Sequence, residues 1–580
     1  MKYHYDKFPF IEVDGNAYDG YDRILAHLNE RVEKLNKNRV VMVIDFYPGV
    51  KTEEVYEFLV KPMKAALEIF SDDEIFIPDD ELNSLIQPYL TDDRVFGIMC
   101  PNKLSNYLDE RKLSATVSRI DAASGLVVIY GVGASLAYEP DLYIYADLAR
   151  WEIQKRYRGG EISNWKSDNF NDDALVKYKR GFFFEWRIAD RHKKENYGRF
   201  DYVLDTNTIN SAKMLAAETF FHALEEVLHR PFRVVPYFDQ GVWGGQWMKE
   251  KCDLDKNSEN YAWCFDCVPE ENSILIKVGE TLIEIPSINI VFLHPVELLG
   301  EKIFARYGDE FPIRFDFLDT MEGGNLSLQV HPLTEYIREN FGMPYTQDES
   351  YYLLDAREDA KVYLGFLSGV DKEAFEGDLI DAETGDFKFP AEKYVNLFDC
   401  KKHDHFLIPA GTVHCTGANT MVLEISSTPF IFTFKLWDWG RVGLDGRPRP
   451  VHLGHGFKNL QYYRDTEWTK ENLINRFEKV DEGDGWIEER TGLHEREPIE
   501  TRRHVFSKTV EHDTNGIVNV LNLVEGGQAV IESPDSSFAP FIVNYAETFI
   551  IPASVGRYTI TPCGVSEGET IITLKAYIRC

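Results

Sequence analysis

The sequence predicts a multidomain chain, with an α/β domain followed by an all-β module that contains a small helical segment. At 580 residues, the chain is long enough for roughly three or four domains. Up to about residue 230, apolar runs of strand length alternate with helical patterns, which is typical of a mostly parallel sheet. After Pro231, short alternating strands and Gly, Pro, Asn and Asp turns predominate, as in β-barrels and sandwiches.

The individual elements follow from hydrophobic spacing and turn residues. In the N-terminal region, strands are predicted at residues 39–45, 125–130 and 142–145, and helices at residues 52–70, 149–158 and 211–229. The last helix should stop where Arg230 meets Pro231. Later strands are predicted at residues 273–278, 281–285, 289–293 and 313–318, with a helical stretch at 467–477 and another all-β segment from about residue 503 to 580.

Charge and composition exclude several classes of function. The formal charge of −33 and the pI near 4.9 argue against binding to nucleic acid or to an anionic membrane, which needs a basic surface. An anionic substrate would therefore need a local group of cations. The N-terminus lacks a basic-then-apolar run, and no window approaches the ~20 apolar residues of a membrane span. We expect a soluble, cytoplasmic protein without partners among nucleic acids or membranes.

The eight cysteines imply no disulfide framework in a chain of this length. Cys264 and Cys267 form a single CxxC, and Cys252 lies upstream. A structural zinc site would require a fourth ligand at matching spacing, which the sequence does not offer. We therefore interpret these cysteines as reduced, buried thiols.

Four side chains between residues 325 and 415 predict a metal site. Alternate residues of a strand share one face, so Ser327, Gln329 and His331 in NLSLQVHP should point the same way. Glu349 begins the next predicted strand, and His414 enters a strand after IPAGTV. Two imidazoles and two oxygen ligands, from Gln329 and Glu349, suit one Zn²⁺ per chain or a similar divalent ion. Taken singly, each could equally be a buried structural histidine or a surface carboxylate.

Glu424 is the candidate for proton transfer. If the chain turns at residues 417–420, a hairpin would return Glu424 opposite His414 on the neighbouring strand. A carboxylate at that place could act as a general acid or base beside the metal. It could equally orient His414.

At these residues the chain resembles the type I phosphomannose isomerases, which are zinc-dependent cupin enzymes. The resemblance covers roughly residues 230–580 and rests on motifs in a fixed order: VWGG (242–245), FPIRFDFLDT (311–320), NLSLQVHP (325–332), DESYYLLDA (348–356), IPAGTVH (408–414) and TFKLWDWGRVGLDGRPRPVH (433–452). It implies a double cupin (jelly-roll) module. TFIIPASVGRYTI (548–560) resembles the second, metal-free barrel of that family.

The resemblance also implies an activity and roles for single residues. Gln329, His331, Glu349 and His414 match the zinc ligands of the family. The implied reaction interconverts mannose 6-phosphate and fructose 6-phosphate through an enediol(ate), with a sugar phosphate as the small-molecule partner. The residues assigned to catalysis and substrate binding on this basis are Glu424 and Lys435 (catalysis) and Ser327, Arg441 and Arg449 (substrate). Lys435, Arg441, Arg447 and Arg449 could supply the local cations for a phosphate, or form an exposed basic loop.

Three positions depart from the family pattern. Lys435 stands where the family usually has Arg, Gln347 where a Lys is common, and Asp316 where a Lys lies in the preceding strand. Lys lacks the planar fork with which Arg binds phosphate in two places at once. Two further functions therefore stay open. One is isomerisation of a different sugar, and the other is a non-catalytic sensor of sugar phosphates.

The N-terminal region contains a damaged phosphate loop. RVVMVIDFYPGVKT (39–52) lacks the first glycine of GxxxxGK[ST] and is too short, with Phe46 at that position and Lys51 two residues after Gly49. Residues 127–158 and 200–207 resemble uridine-kinase-like phosphotransferases. We therefore expect a degenerate P-loop kinase-like domain at 1–228, without ordinary ATP phosphotransfer, that acts as a scaffold or ligand sensor. The metal-binding cupin domain is expected at 229–480 and the metal-free barrel at 481–580.

Overall fold

The computed structural model describes residues 4–383, 387–429, 431–444, 446, 449–492 and 497–580. The chain separates into two compact units. The first consists of Phe10–Glu226 and Glu270–Leu293, and the second of Met1–Pro9, Val227–Pro269 and His294–Cys580. The three-domain boundaries given above stay a prediction.

Strands make up most of the second unit, whereas the first unit mixes strands and helices. In chain order, the strands are β1 (Phe10–Glu12), β2 (Ala17–Asp19), β3 (Arg39–Phe46), β4 (Leu67–Phe70), β5 (Gly125–Gly131), β6 (Leu142–Asp147), β7 (Tyr202–Asp205), β8 (Lys213–Ala216), β9 (Tyr237–Asp239), β10 (Trp263–Cys267), β11 (Ser273–Val278), β12 (Thr281–Pro286), β13 (Arg314–Asp319), β14 (Leu328–Val330), β15 (Glu349–Ala356), β16 (Lys361–Phe366), β17 (Val395–Asp399), β18 (His405–Ile408), β19 (His414–Thr416), β20 (Thr420–Ser426), β21 (Phe434–Trp437), β22 (Glu478–Gly483), β23 (Trp486–Gly492), β24 (Ile499–Phe506), β25 (Val510–Asp513), β26 (Asn519–Glu525), β27 (Gln528–Glu532), β28 (Phe541–Asn544), β29 (Thr548–Ile551), β30 (Arg557–Pro562) and β31 (Ile571–Ile578).

The helices are concentrated in the first unit and in the connections of the second. In chain order, they are α1 (Tyr21–Leu35), α2 (Thr52–Val55), α3 (Ser71–Glu74), α4 (Asp79–Leu90), α5 (Glu110–Ala122), α6 (Arg150–Arg158), α7 (Ala174–Arg180), α8 (Trp186–Asn196), α9 (Ala217–Leu228), α10 (Trp247–Lys251), α11 (Ile288–Leu293), α12 (Pro295–Leu299), α13 (Glu301–Tyr307), α14 (Thr334–Phe341), α15 (Lys372–Glu383), α16 (Leu453–Gly456) and α17 (Thr466–Asn472). Within the described ranges, none of these helices has the length and apolar character needed to cross a membrane.

The first unit is built on a seven-stranded sheet with the order β2-β8-β7-β6-β3-β5-β4. Strands β4 to β7 run parallel, while β8 and β2 are antiparallel at one edge. The central strand β3 is almost entirely buried, as expected for a parallel strand whose two faces are covered. This is the mostly parallel sheet that the sequence pattern predicts. The likeness to a nucleoside kinase stays a prediction.

Three predicted elements in this unit differ from the structure. Residues 67–70 form the edge strand β4, and residues 213–216 form β8, although both lie inside predicted helices. In each case hydrogen bonding to a neighbouring strand overrides the local helical spacing. Residues 289–293, predicted as a strand, lie in helix α11. A short apolar run alone does not distinguish a strand from a buried helical turn.

The second unit is largely β-sheet. One pair of sheets has the orders β18-β15-β20-β13-β10-β9 and β17-β16-β19-β14-β21, and it carries the predicted metal ligands. A second pair, β22-β23-β24-β31-β26-β29 and β25-β30-β27-β28, forms the C-terminal barrel. The barrel is packed around a cluster of fully buried side chains that includes Phe506, Phe549 and Tyr558.

A buried ion network stabilises the second unit. Arg233 is 5% exposed, and its guanidinium lies 3.0 Å from Glu547 and 3.7 Å from Asp266. It also donates a hydrogen bond of 3.1 Å to the carbonyl oxygen of Thr548. The two carboxylates depend on this one cation because both are buried.

Replacing the cation should destabilise this unit strongly. We expect Arg233→Met to lower the free energy of unfolding by about 3–5 kcal/mol, because two carboxylates then stay buried without their partner. The midpoint of urea denaturation measures the effect. Arg557→Met, which changes an exposed arginine in the same unit, should move the midpoint little. Equal midpoints for the two variants would contradict the role assigned to Arg233.

Candidate metal centre

Two facing sheets bring the predicted ligands together. Gln329 is the middle residue of β14 and pairs in register with His414, the first residue of β19. His331 follows β14 directly. Glu349 begins β15 in the other sheet. The ligands therefore come from strands that are far apart in sequence and converge in the space between the sheets.

The donor atoms of these residues converge closely. Nε2 of His331 lies 2.6 Å from Oε2 of Glu349, and Nε2 of His414 lies 3.1 Å from the same oxygen. One ligand atom from each of the three residues falls within 4.8 Å of the others. The side-chain amide of Gln329 is 3.2 Å from Nε2 of His414. All four side chains are buried.

The chemistry of the donor set fits a divalent ion such as Zn²⁺. Nδ1 of His414 donates a 2.8 Å hydrogen bond to the carbonyl oxygen of Thr412, which leaves the lone pair of Nε2 directed towards Glu349. Oε1 of Glu349 is buried and has no hydrogen-bond partner among the described residues. Rotation of its terminal amide lets Gln329 present either its oxygen or its nitrogen to the centre. Two imidazoles, a carboxylate and an amide oxygen form a common mixed ligand set.

The protonation states suit metal binding. Burial alone would raise the pKa of Glu349, but the imidazoles of His331 and His414 hold its pKa well below the ordinary value. Burial lowers the pKa of His331, so the ring is neutral near pH 7. A charged carboxylate and a neutral imidazole are the forms that bind metals.

Glu424 does not lie where the predicted hairpin puts it. Strands β19 and β20 belong to different sheets, so residues 417–419 connect the sheets and Glu424 does not pair with His414. It pairs instead with Asp316 of β13 and Tyr351 of β15. Because alternate residues share a face, Glu424 lies on the same face as Glu349. Its carboxylate thus approaches the centre from the sheet that carries Glu349.

A compact group of polar side chains surrounds Glu424. Gln347 donates a hydrogen bond of 3.2 Å to Oε1 of Glu424, and Ser426 donates one of 2.8 Å. Nη1 of Arg314 is 3.8 Å from the same oxygen, and Arg314 forms a close ion pair with Asp316. Two of the three positions that depart from the family pattern, Gln347 and Asp316, therefore lie at Glu424.

Burial raises the pKa of these carboxyl groups. The pKa of Glu424 is well above its ordinary value because the group is buried beside Glu349 and Asp316. Burial also raises the pKa of Asp316 to about 7, against the opposing effect of Arg314. Carboxyl groups with pKa values moved towards neutrality can both donate and accept protons.

Sequence reasoning missed two residues of the site. Arg314 precedes Asp316 by two positions on β13 and so shares its face. Tyr351 follows Glu349 by two positions, and its ring packs edge-on against His414 at 5.9 Å between centroids. Both residues follow the alternation of side chains along a strand, which is the same signal that predicts Gln329 and His331.

Two of the residues assigned to catalysis or substrate binding lie beside the ligands. Lys435 of β21 is directly opposite Gln329 in the register of the sheet. Ser327 is buried immediately before β14. Both positions are compatible with the predicted roles, which stay predictions.

The predicted phosphate-binding cations are arranged differently. Arg441 and Arg449 both form close ion pairs with Asp438. Arg447 lies outside the described residues. The two described arginines thus lie close together, but both are paired with a carboxylate of the chain, that of Asp438.

The chain is similar in sequence to mannose-6-phosphate isomerases. Mannose-6-phosphate isomerase ManA of Bacillus subtilis is 28% identical over 229 residues, which make up 38% of this chain and 65% of that protein. The mannose-6-phosphate isomerase of Streptococcus mutans is 26% identical over 214 residues, 37% of this chain and 62% of that protein. The chain thus matches less than two thirds of the length of these relatives. The predicted resemblance to such isomerases is confirmed as a similarity of sequence.

Two further comparisons concern the fold and the N-terminal region. The crystal structure of the mannose 6-phosphate isomerase from Bacillus subtilis superposes with a TM-score of 0.48 and 19% identity, covering 60% of this chain and 99% of that one. A protein-family model described as "Domain of unknown function (DUF8485)" matches residues 20–229.

The metal centre can be tested independently of any activity. We expect His414→Ala to lower the affinity for Zn²⁺ by more than the ~10–100-fold that loss of an outer-shell partner costs, because a direct ligand is removed. Metal content after dialysis against limiting zinc measures this. His403→Asn, a change in a half-buried histidine of the same unit, is the control and should keep the metal. Equal zinc in both variants would exclude the proposed ligand set.

Proposed function

We propose that the chain is a metal-dependent aldose–ketose isomerase that interconverts mannose 6-phosphate and fructose 6-phosphate. The observation that carries this proposal is the convergence of His331, Glu349 and His414, with Glu424 on the same face of the sheet as Glu349. The sequence similarity to mannose-6-phosphate isomerases supports it.

Gln329, His331, Glu349 and His414 would hold the ion, for which zinc suits the mixed nitrogen and oxygen ligands. When bound, such an ion supplies a Lewis acid that polarises the oxygens of the sugar. The rest of the chemistry falls to the side chains of the chain. They must orient the sugar, exclude water and move one proton between two neighbouring carbons.

Glu424 is the proposed proton carrier. In the aldose-to-ketose direction, a base removes the proton from C2 to give an enediolate with its charge on O1, a proton passes from O2 to O1, and the same base returns the carbon-bound proton to C1. A single carboxyl group can do both if its pKa is close to the working pH. Burial beside Glu349 and Asp316 raises the pKa of Glu424 in that direction.

Two cations are placed to stabilise negative charge that develops on the sugar. Arg314 is 3.8 Å from Glu424, and Lys435 lies opposite Gln329. The family pattern has a lysine at the position of Asp316. Arg314 lies two residues before it on β13. A guanidinium on the same face of β13 can supply the charge that Asp316 does not.

Glu424→Gln tests the proton transfer. The variant keeps the shape of the side chain but cannot carry a proton, so we expect kcat to fall by about 10²–10⁴-fold while the zinc content is unchanged. A coupled assay for fructose 6-phosphate formed from mannose 6-phosphate measures it.

Glu335→Gln, on helix α14 of the same unit, is the matched control and should leave kcat unchanged. The proposal fails if zinc-loaded protein shows no turnover, or if Glu424→Gln turns over as fast as the parent. Binding of sugar phosphate without turnover would instead favour the sensor function.

A second candidate is the same isomerisation on a sugar without a phosphate. It is favoured by the pairing of Arg441 and Arg449 with Asp438, because Asp438 neutralises part of the charge that a phosphate would need. The replacement of basic residues by Asp316 and Gln347 points the same way.

Arg449→Met distinguishes the two candidates. If Arg449 binds the phosphate, we expect KM for mannose 6-phosphate to rise roughly 10–100-fold, since hydrogen bonds to charged groups contribute about 1.5–3 kcal/mol. KM for unphosphorylated mannose should not change. The same assay over a panel of free and phosphorylated sugars measures both. An unchanged KM for every phosphorylated sugar would favour the second candidate.

For the first unit we propose a degenerate phosphate loop without kinase activity. β3 ends at Phe46 and α2 begins at Thr52, which leaves five residues between them. Lys51 forms a 2.8 Å ion pair with Glu161. A lysine paired in this way, in a short loop that lacks the first glycine of the motif, supports a scaffold or sensor function rather than phosphotransfer.

A further inference from the structure

The C-terminal barrel has an apolar end and a polar end. Its apolar end is filled by the cluster around Phe506, Phe549 and Tyr558. At the polar end lies a cavity of about 770 Å³. This is within the range of small-molecule sites in proteins. The cavity shares no lining residue with the metal centre.

Strand register places a set of charged side chains in this cavity. Arg502 of β24 is opposite Lys575 of β31, and His504 is opposite Thr573 two residues further along. Glu488 of β23 pairs with His504. Because alternate residues share a face, Arg502, His504, Glu488 and Lys575 lie on the inner side of the sheet. All four line the cavity, together with His512 of β25.

Two ring nitrogens of this cavity are buried without partners. Nε2 of His512 and Nδ1 of His504 make no hydrogen bond to any described residue. Lys575 is 9% exposed, and its ammonium contacts the ring of Tyr577, 5.9 Å from the centroid, without a direct ion pair among the described residues. Buried polar groups in proteins are normally satisfied, and leaving one unpaired is costly. Two such nitrogens beside a buried lysine point to a missing ligand.

Two carboxylates on the inner face of the sheet are already engaged. Glu488 is 3.2 Å from Arg502 and 3.3 Å from His504. Glu500 forms a close ion pair with Arg502 and accepts a 2.7 Å hydrogen bond from the hydroxyl of Tyr577. Arg502 thus serves both acids. The other acids of the lining, Asp481, Glu511 and Asp513, are exposed, and none of the five forms a direct ion pair with Lys575.

The pKa shifts agree with this charge balance. Burial lowers the pKa of Lys575 to about 8, with Glu488 opposing this shift and Arg502 contributing to it. Burial lowers the pKa of His512 well below its ordinary value, and the neighbouring His504 and Lys575 act in the same direction. An anion in the cavity would oppose all of these effects.

We propose that the polar end of the C-terminal barrel binds a small metabolite through an oxyanion group, a phosphate or a carboxylate. Lys575 supplies the charge, His512 and His504 supply ring nitrogens, and the remaining volume accommodates the rest of the molecule. This ligand is distinct from the substrate of the metal centre, and its binding does not require the proposed isomerase activity.

The test uses the full chain and two probes, inorganic phosphate and acetate, titrated by calorimetry. The Arg449→Met variant serves as the background, because it removes the candidate phosphate contact of the isomerase site. We expect one probe or both to bind once per chain. Lys575→Met should weaken that binding at least about tenfold. Lys508→Met, an exposed lysine of the same barrel, is the control and should bind as the background does.

Folding of the variants is checked by thermal denaturation, although loss of an unpaired buried charge is expected to be tolerated. If Lys575→Met does not fold, Lys575→Arg and His512→Phe replace it, with binding retained in the first and weakened in the second. Tighter binding of phosphate identifies a phosphate ester, and tighter binding of acetate a carboxylate. The proposal is overturned if neither probe binds, or if Lys575→Met and Lys508→Met bind alike. His414→Ala should bind both probes normally even if the isomerase proposal fails.

Discussion

The contact of Glu349 with the imidazoles of His331 and His414 is the constraint on which the first pair of sheets depends. A buried carboxylate costs several kcal/mol unless it is paired, and Glu349 finds its partners only in the opposite sheet. The two sheets must therefore meet with Gln329 and His414 in register. Leu328 and Val330, which are fully buried, alternate with Gln329 and fix which face of β14 turns towards the centre. A slip of one residue would turn apolar side chains onto the carboxylate.

The same constraint separates the roles of the acidic side chains. Glu349, Glu424 and Asp316 lie near each other with a single guanidinium, that of Arg314, among the groups that contact Glu424 and Asp316. Like charges at such distances cannot all be ionised in a buried site. Glu349 keeps its charge because two imidazoles face it. The pKa values of Glu424 and Asp316 are raised instead. Glu349 is thus kept in the ionised form that a metal ligand needs, and Glu424 is kept protonatable, although the two come from neighbouring strands. Two neighbouring acids whose surroundings give them different pKa values are typical of acid–base catalysis.

The sequence predicts the contacts of this site that depend on neighbouring residues of one strand, but not those between residues far apart in the chain. The period of two along β14 and β15 is local, and it correctly placed Gln329 and His331 on one face. The partner of Glu424 is not local. Residues 417–419 resemble a hairpin turn, yet they lead from one sheet into the other, and only the pairing of β20 with β13 and β15 determines what Glu424 meets. Strands β4 and β8 differ from prediction for the same reason, since hydrogen bonds from β5 and β7 outweigh their own helical spacing. Arg314 needed no long-range information, because it shares a face with Asp316.

The two pairs of sheets in the second unit differ in which charged groups they bury and in how these groups are paired. Between the first pair, a carboxylate lies among imidazoles, and a cation is the species that such a set attracts. In the C-terminal barrel, Glu488 and Glu500 contact Arg502, and the ammonium of Lys575 makes no direct ion pair among the described residues. A divalent ion beside Lys575 would meet like charge. Among the described residues, His331, Glu349 and His414 are the one cluster of His, Cys, Asp or Glu whose ligand atoms converge, and His504 and His512 do not form another. In the first site both imidazoles face an acid of the chain, whereas in the second His504 contacts Glu488 and Nε2 of His512 has no hydrogen-bond partner among the described residues. The second arrangement is the one for which we propose an anion from outside the chain.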